Sequence, residues 1–114
     1  MTIKQVGEIL NAEVLTAPDK TDKLDMEVDS ACGADLMSDV LAFSAGHSLL
    51  LTGLLNLQAI RTAEMMDMRA VVFVRGKRPT QDIIDLANDR DVILMTTKYN
   101  LYAACGMLYI NGLH

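Results

Sequence analysis

Three short apolar runs in the C-terminal two-thirds of the chain predict buried β-strands. The runs span residues 48–52, 70–74 and 92–95. A strand that is apolar at every position is buried on both faces, which is typical of a parallel sheet. Each interval between the runs is long enough for one right-handed crossover helix. We therefore predict a three-layer α/β/α domain with a largely parallel central sheet.

The segments after the three runs carry apolar residues at helical spacing, so that one face of each helix can pack on the sheet. Pro79 suits the first turn of the second of these helices. The predicted buried positions are Ala59, Ile60, Ala63 and Met66 in the first helix, Ile83, Ile84 and Ala87 in the second, and Leu101, Tyr102, Cys105, Leu108 and Tyr109 in the last.

The N-terminal third is predicted to add one helix and short strands. Thr2 and Gln5 have the spacing of a capping box, and a helical apolar pattern follows them. Residues 13–16 are predicted as a short strand. Polar and apolar positions alternate over residues 25–29, which indicates a half-exposed strand. A surface loop over residues 17–23 is expected to connect the two.

A further helix is predicted before the first apolar run. We expect Asp35 to cap this helix and Gly46 to end it. A polar turn at His47 then leads into the run. The predicted apolar face of the helix is Leu36, Met37, Val40 and Leu41.

The chain is apolar for a protein of its size. It has 114 residues, of which 51% are hydrophobic. That length fits one domain over residues 1–114, and some of the apolar surface is expected to meet a second subunit. We therefore predict a homodimer. Apolar residues that the core does not obviously absorb are Leu54, Leu55, Leu57, Met65, Met68, Tyr99 and Ile110.

Charge and segment length argue against several classes of partner. The net charge of −5 disfavours nucleic acid, whose phosphates need clustered Lys and Arg. No apolar run approaches the roughly 20 residues of a membrane span. The first residues lack the features of a signal peptide, so we expect a cytoplasmic protein. Cys32 and Cys105 are then expected to be reduced, buried thiols, neither bridged nor bound to metal.

In an open parallel sheet, ligands bind outside the carboxyl ends of the strands. The helix amino termini at this edge favour an anionic or nucleotide-like ligand. The alternative is a set of solvated loops, because charged loop residues need no functional explanation. The candidate ligand-binding residues are Asp35, Thr52, Gly53, Asn56, Arg75, Gly76, Lys77, Thr96 and Thr97.

The sequence contains no recognisable catalytic, metal or cofactor motif. Neither a G-x-G-x-x-G fingerprint nor a complete Walker A loop is present. Asp25, Glu27 and Asp29 do not fit a calcium loop, and we expect a solvated strand edge there. The only histidines are His47 and His114.

A resemblance adds to this picture. Four segments carry it: Gly33-Ala34-Asp35-Leu36-Met37-Ser38-Asp39-Val40-Leu41-Ala42, Leu55-Asn56-Leu57, Val72 to Gly76, and Gly106-Met107-Leu108-Tyr109. On these residues the chain resembles the small stand-alone DRTGG-domain proteins over nearly its whole length. The resemblance implies a fold related to the N-terminal domain of HPr kinase/phosphorylase, and a regulatory or dimerising role. Leu54-Leu55 stands where the signature has Asp-Arg, and Val74-Arg75-Gly76 where it has Thr-Gly-Gly.

We therefore predict a non-enzymatic regulatory or assembly domain that forms a homodimer. One alternative is a small phosphotransfer-type enzyme with Asp35 or Asp39 as base and Arg75 and Lys77 on phosphate. Another is an adaptor subunit of a redox or signalling complex. A protein partner would then contact the helix end that carries Met65, Met66 and Met68.

Overall fold

The computed structural model describes residues 1–43, 46 and 48–114, and only the backbone of residues 18–21. The position of His47 lies outside the described residues. The strands are β1 (Glu13–Val14), β2 (Ala31–Gly33), β3 (Leu49–Thr52), β4 (Ala70–Phe73) and β5 (Ile93–Thr96). The helices are α1 (Ile3–Ile9), α2 (Met37–Phe43), α3 (Leu57–Met65), α4 (Gln81–Asp89) and α5 (Leu101–Ile110), with a 3₁₀ helix over Pro18–Asp25.

The strands form one five-stranded sheet in the order β1-β5-β4-β3-β2. Strands β2 to β5 are parallel, and β1 is an antiparallel edge strand. The three crossovers from β2 to β5 all step in the same direction, so right-handed connections place α2, α3 and α4 on one face. Helices α1 and α5 cover the other face. This confirms the predicted three-layer, largely parallel fold.

Alternate residues of the central strands enter two separate apolar cores, as the two-residue period of a strand requires. Leu51, Val72 and Met95 lie in the core under α1 and α5. Leu50 and Val71 lie in the core under α2, α3 and α4. All five side chains are at most 1% exposed. Burial on both faces explains why these strands are apolar at every position except their last residues, Thr52 and Thr96.

The capping box of α1 is confirmed. The Thr2 hydroxyl accepts a hydrogen bond from the Gln5 backbone N–H at 3.1 Å, and Gln5 Oε1 accepts one from the Thr2 N–H at 2.8 Å. The predicted strand over residues 13–16 is present but ends at Val14. The predicted loop over residues 17–23 was wrong, because Pro18 stands at the start of the 3₁₀ helix, where its fixed φ is favourable.

The strand predicted over residues 25–29 was also wrong. Val28 is buried between exposed neighbours, so the alternation is real. Its partner is the amino terminus of the chain, since the Val28 N–H donates to the Met1 carbonyl at 2.7 Å and Glu27 forms an isolated bridge with Thr2. The edge strand beside β3 is instead Ala31–Gly33. An alternation of polar and apolar residues thus indicates which side chains are buried, but it does not indicate which segment pairs with them.

Helix α2 differs from its prediction at its start and on its apolar face. Met37 and Val40 are buried as predicted, but Leu36 is 60% and Leu41 39% exposed. Asp35 was wrongly predicted as the cap: the helix begins at Met37, and the Asp35 carboxylate is turned toward the end of β3. Gly46 has a φ of 87° beyond the last residue of α2.

Helices α3 and α4 bury the predicted residues. Ala59, Ile60 and Ala63 are fully buried, as is Ala87, and Met66 and Ile84 are half-buried. Thr80 is the N-cap of α4, so Pro79 precedes the first turn that was predicted for it.

The predicted buried stripe of α5 was only partly right. Leu108 is buried, and Leu101 and Cys105 are half-buried. Tyr102 is 91% and Tyr109 64% exposed, because the line that faces the sheet runs through Ala104 instead. Among the described residues, no helix is long and apolar enough to cross a membrane.

Candidate functional site

Side chains from three strand ends meet at the backbone of Gly53, directly after β3. Asp35 Oδ1 accepts hydrogen bonds from the Gly53 N–H at 2.7 Å and from the Thr52 hydroxyl at 3.2 Å. Lys77 Nζ donates to the Gly53 carbonyl at 2.9 Å. Together with Arg75, these residues form what we call the Gly53 cluster (Asp35, Thr52, Gly53, Arg75 and Lys77).

The Arg75 guanidinium lies against the backbone of Gly53. A Cβ atom at residue 53 would stand 2.6 Å from Arg75 Nη2 and 3.5 Å from Asp35 Oδ1. Glycine therefore allows a close approach that a side chain would block. Within the part of the chain that the structure describes, the Arg75 side chain forms no hydrogen bond or ion pair. The cluster thus presents an exposed guanidinium with its donors available.

Arg75 is positioned by a tight turn after β4. Both Arg75 and Gly76 have positive φ, at 63° and 67°. The Lys77 N–H closes the turn onto the Val74 carbonyl at 3.3 Å. A positive φ is uncommon for a residue other than glycine, and such residues concentrate at functional sites.

The backbone of this turn is not available to a ligand. The Arg75 N–H donates to the Tyr99 carbonyl and the Gly76 N–H to the Thr97 carbonyl, both at 2.8 Å. A phosphate nest needs free N–H groups of this kind. An anion at this turn would therefore have to contact side chains, above all Arg75, and not the backbone N–H groups.

The other predicted site residues use their polar groups within the fold. Asn56 accepts the Ala59 N–H at 3.2 Å and so caps α3. The Thr96 hydroxyl donates to the Lys77 carbonyl at 2.6 Å, which links the turn after β4 to the end of β5. The Thr97 hydroxyl donates to the carbonyl of Leu10 at 2.7 Å. The structure thus brings Asp35, Thr52, Gly53, Arg75 and Lys77 together at one point, and it gives Asn56, Thr96 and Thr97 supporting contacts.

Sequence reasoning missed the supporting role of Tyr99 and Leu10. Each contributes only a backbone carbonyl, and every residue carries one, so no residue type signals the role. The flanking polar residue Arg78 pairs with Glu13 of β1, which lowers the pKa of the Glu13 carboxyl through a hydrogen bond and through charge attraction.

The acidic and sulfur side chains that the structure describes lie in separate places, and several have other partners. Within the described ranges, no three His, Cys, Asp or Glu side chains are placed to hold an ion. Glu27 pairs with the N-terminal amine at 2.8 Å, and Asp29 accepts a hydrogen bond from Ser48 at 2.6 Å. Cys32 and Cys105 are half-buried, and no disulfide joins them. Burial, and then the nearby Cys32, raise the pKa of the Cys105 thiol.

A polar concavity of about 270 Å³ lies away from the Gly53 cluster, near Met68 and Val92. Its charges largely satisfy one another. Arg90 pairs with Glu64 at 3.2 Å, and Lys23 pairs with Asp91 at 3.7 Å. The uncommitted guanidinium of Arg75 is a stronger feature for recognition of an anion.

Comparison with known proteins identifies a fold but no family. No family model matches the chain, and no curated protein does so. One solved structure with a similar fold is the CBS and DRTGG domains of the regulatory region of Clostridium perfringens pyrophosphatase, complexed with its activator diadenosine tetraphosphate. The TM-score is 0.73 at 14% sequence identity.

The similarity covers 94% of this chain and 45% of that one. The chain thus spans less than half the length of the regulatory region that it matches. The likeness supports the DRTGG-like fold that the sequence predicted. At 14% identity it establishes the fold alone.

Proposed function

We propose that residues 1–114 form a non-enzymatic regulatory or assembly domain, homodimeric and cytoplasmic, that binds a small anionic or nucleotide-like ligand at the carboxyl ends of β3 and β4. The observation that carries this proposal is the guanidinium of Arg75, which is held against Gly53 with no acceptor among the described residues. A guanidinium presents a planar fork of donors that matches two phosphate oxygens.

Two further features favour an anion at this position. Lys77 stands beside the same glycine and adds positive charge. Helix α3 begins at Leu57, four residues after Gly53, and the positive end of a helix dipole attracts negative charge. These contributions act in the same direction at the edge where open parallel sheets bind ligands.

The structural neighbour supports the regulatory part of the proposal. It is a regulatory region, and its activator carries a chain of phosphates between two nucleosides. We extend to this chain the class of ligand, a phosphate-bearing nucleotide, and a fold relation to the N-terminal domain of HPr kinase/phosphorylase.

The phosphotransferase alternative is less well supported by the geometry. Its base would be Asp35 or Asp39, yet one oxygen of the Asp35 carboxylate accepts two hydrogen bonds that hold the end of β3, and Asp39 lies exposed on α2. Phosphoryl transfer also needs a phosphate cradle, and the amides of the turn at Arg75 are bonded to carbonyls. Transfer of phosphate from ATP to a protein, lost in Lys77→Ala, would favour the enzyme instead.

The test is thermal unfolding in the presence of ATP, ADP, diadenosine tetraphosphate and phosphorylated metabolites. A ligand at 100 times its Kd stabilises the folded state by about 2.7 kcal/mol, which is a rise in Tm of about 10 °C for a domain of this size. We expect Arg75→Gln to remove this rise. Arg61→Gln is the matched control, because Arg61 is an exposed arginine on α3. If Arg75→Gln kept the full rise in Tm, the proposed role of Arg75 in the site would be refuted. If no compound raised the Tm of the wild-type chain, the proposal that it binds a nucleotide or phosphorylated ligand would be refuted.

A further inference from the structure

The last sixteen residues of the chain are free of charged side chains. No Asp, Glu, Lys or Arg occurs in residues 99–114, although these types make up 22% of the chain. The outward face of α5 within this segment is apolar and open to solvent. Tyr102 is 91% exposed, Ile110 82% and Tyr109 64%. With Ala103, Gly106 and Met107, these side chains line a shallow apolar groove along the helix.

Gly106 is an unusual choice at the centre of this helix. Glycine is among the least favourable residues in a helix interior. Its φ is not positive, and a Cβ at residue 106 would meet no described atom within 4 Å. Nothing in the described part of the chain therefore calls for glycine here. A missing side chain on an exposed helix face lets another backbone approach closely.

We propose that this face of α5 is the contact between two copies of the chain, with the two α5 helices crossing at Gly106 about a two-fold axis. A two-fold contact sets the same patch against itself. Each copy has a net charge of −5, so electrostatic repulsion opposes a contact least where neither face presents charge. The uncharged face of α5 meets this condition. The inference rests on the homodimer of the proposed function and is independent of its ligand.

The size of the face fits a small but specific dimer. An aromatic side chain buries about 150–250 Å², so two largely exposed tyrosines and Ile110, with their smaller neighbours, offer roughly 600 Å² per copy. Two copies then reach about 1,200 Å², the lower end of the range for specific interfaces.

Among the described residues, the other strongly exposed apolar side chains lie on surfaces that also carry charge. Phe43 is 79% and Met65 70% exposed, but they lie on α2 and α3, in the opposite layer of the domain. Those helices also carry Asp39, Arg61 and Glu64. A contact there would have to cover charged side chains, whose desolvation opposes binding.

The test is sedimentation equilibrium of the full chain at micromolar concentration. We expect twice the 12.5 kDa mass of one copy. Gly106→Leu and Tyr102→Glu should each weaken the dimer by about tenfold or more, as loss of a central contact does. Phe43→Glu is the matched control, since it also places a charge at an exposed aromatic position, and it should leave the mass unchanged. Far-ultraviolet circular dichroism checks that every variant is folded.

Gly106→Ala separates an effect on the dimer from an effect on the fold, because the two should change in opposite directions. Alanine favours the helix, so the monomer should melt at higher temperature, while the added methyl group should weaken the dimer. A dimer that survives Gly106→Leu and Tyr102→Glu overturns the α5 contact but not the homodimer. A wild-type chain of 12.5 kDa overturns both, and the ligand site is then judged by Arg75→Gln alone.

Discussion

The Arg75 guanidinium packs so closely on Gly53 that a Cβ at residue 53 would lie 2.6 Å from its Nη2 atom. The two residues follow neighbouring parallel strands, β3 and β4, whose carboxyl ends meet at the same edge of the sheet. The Gly53 backbone is held on both sides, since its N–H donates to Asp35 and its carbonyl accepts from Lys77. The Arg75 side chain has no such restraint among the described residues.

We predict that Gly53→Ala weakens ligand binding more than it weakens the fold. The clash is with the far end of a flexible side chain, so Arg75 can swing away, and the free energy of unfolding should fall by less than about 1 kcal/mol. The displaced guanidinium would then miss the ligand, with a loss of about tenfold or more in affinity by titration calorimetry.

A double-mutant cycle separates the clash from other effects of the alanine. In an Arg75→Ala background, Gly53→Ala should cost less stability than it does alone, because the opposing side chain is gone. Equal costs in both backgrounds would contradict the contact.

The parallel arrangement of the central strands and the edge that carries their polar ends were predictable for a physical reason. Strands β3, β4 and β5 are buried on both faces, which favours apolar residues at nearly every position and leaves a clear apolar run in the sequence. Once they are placed as parallel strands, the strand-end rule alone puts Thr52 and Arg75 at one edge.

What the sequence did not reveal depends on long-range contacts. The Thr97 hydroxyl bonds to a carbonyl 87 residues away, and no local pattern encodes that choice. Helix α5 is apolar on nearly every side, so periodicity could not tell that Ala104 faces the sheet while Tyr102 faces solvent. Because α5 has apolar residues on nearly every side, its exposed face is also apolar, and this is the basis for the proposed contact between copies.

A second prediction concerns pH. The hydrogen bond from the Ser48 hydroxyl to Asp29 is the main cause that lowers the pKa of this carboxyl from its ordinary value of 3.8. A carboxyl with a lowered pKa in the folded state stabilises the fold above its ordinary pKa, and that stabilisation is lost as the pH falls through the lowered value. Ser48→Ala should raise the pKa of Asp29 toward 3.8.

The measurement is a carboxyl-carbon NMR titration together with denaturant unfolding at several pH values. Wild type should be more stable than Ser48→Ala near neutral pH, and the difference should shrink in acid. Ser38→Ala, at an exposed serine of α2, should leave the pKa of Asp29 unchanged. An unaltered titration of Asp29 in Ser48→Ala would show that the hydroxyl does not hold this carboxylate.

A third prediction sets stability against binding at Arg75. This residue has a φ of 63°, a conformation that glycine adopts at no steric cost and that costs other residues of order 1 kcal/mol or more. Arg75→Gly should therefore raise the free energy of unfolding by about 0.5–1 kcal/mol, since the gain in the turn exceeds the added freedom of the unfolded chain. The same change removes the guanidinium, so the shift in Tm on addition of ligand should vanish.

Asp67→Gly is the control, because Asp67 has a φ of 57° after α3, away from the Gly53 cluster. Its free energy of unfolding should rise less, because aspartate tolerates this region better. It should keep the full shift in Tm on addition of ligand. If Arg75→Gly were less stable than wild type without ligand, the guanidinium would be stabilising the fold through its contact with Gly53, and Arg75 would be a structural residue and not one reserved for an anion.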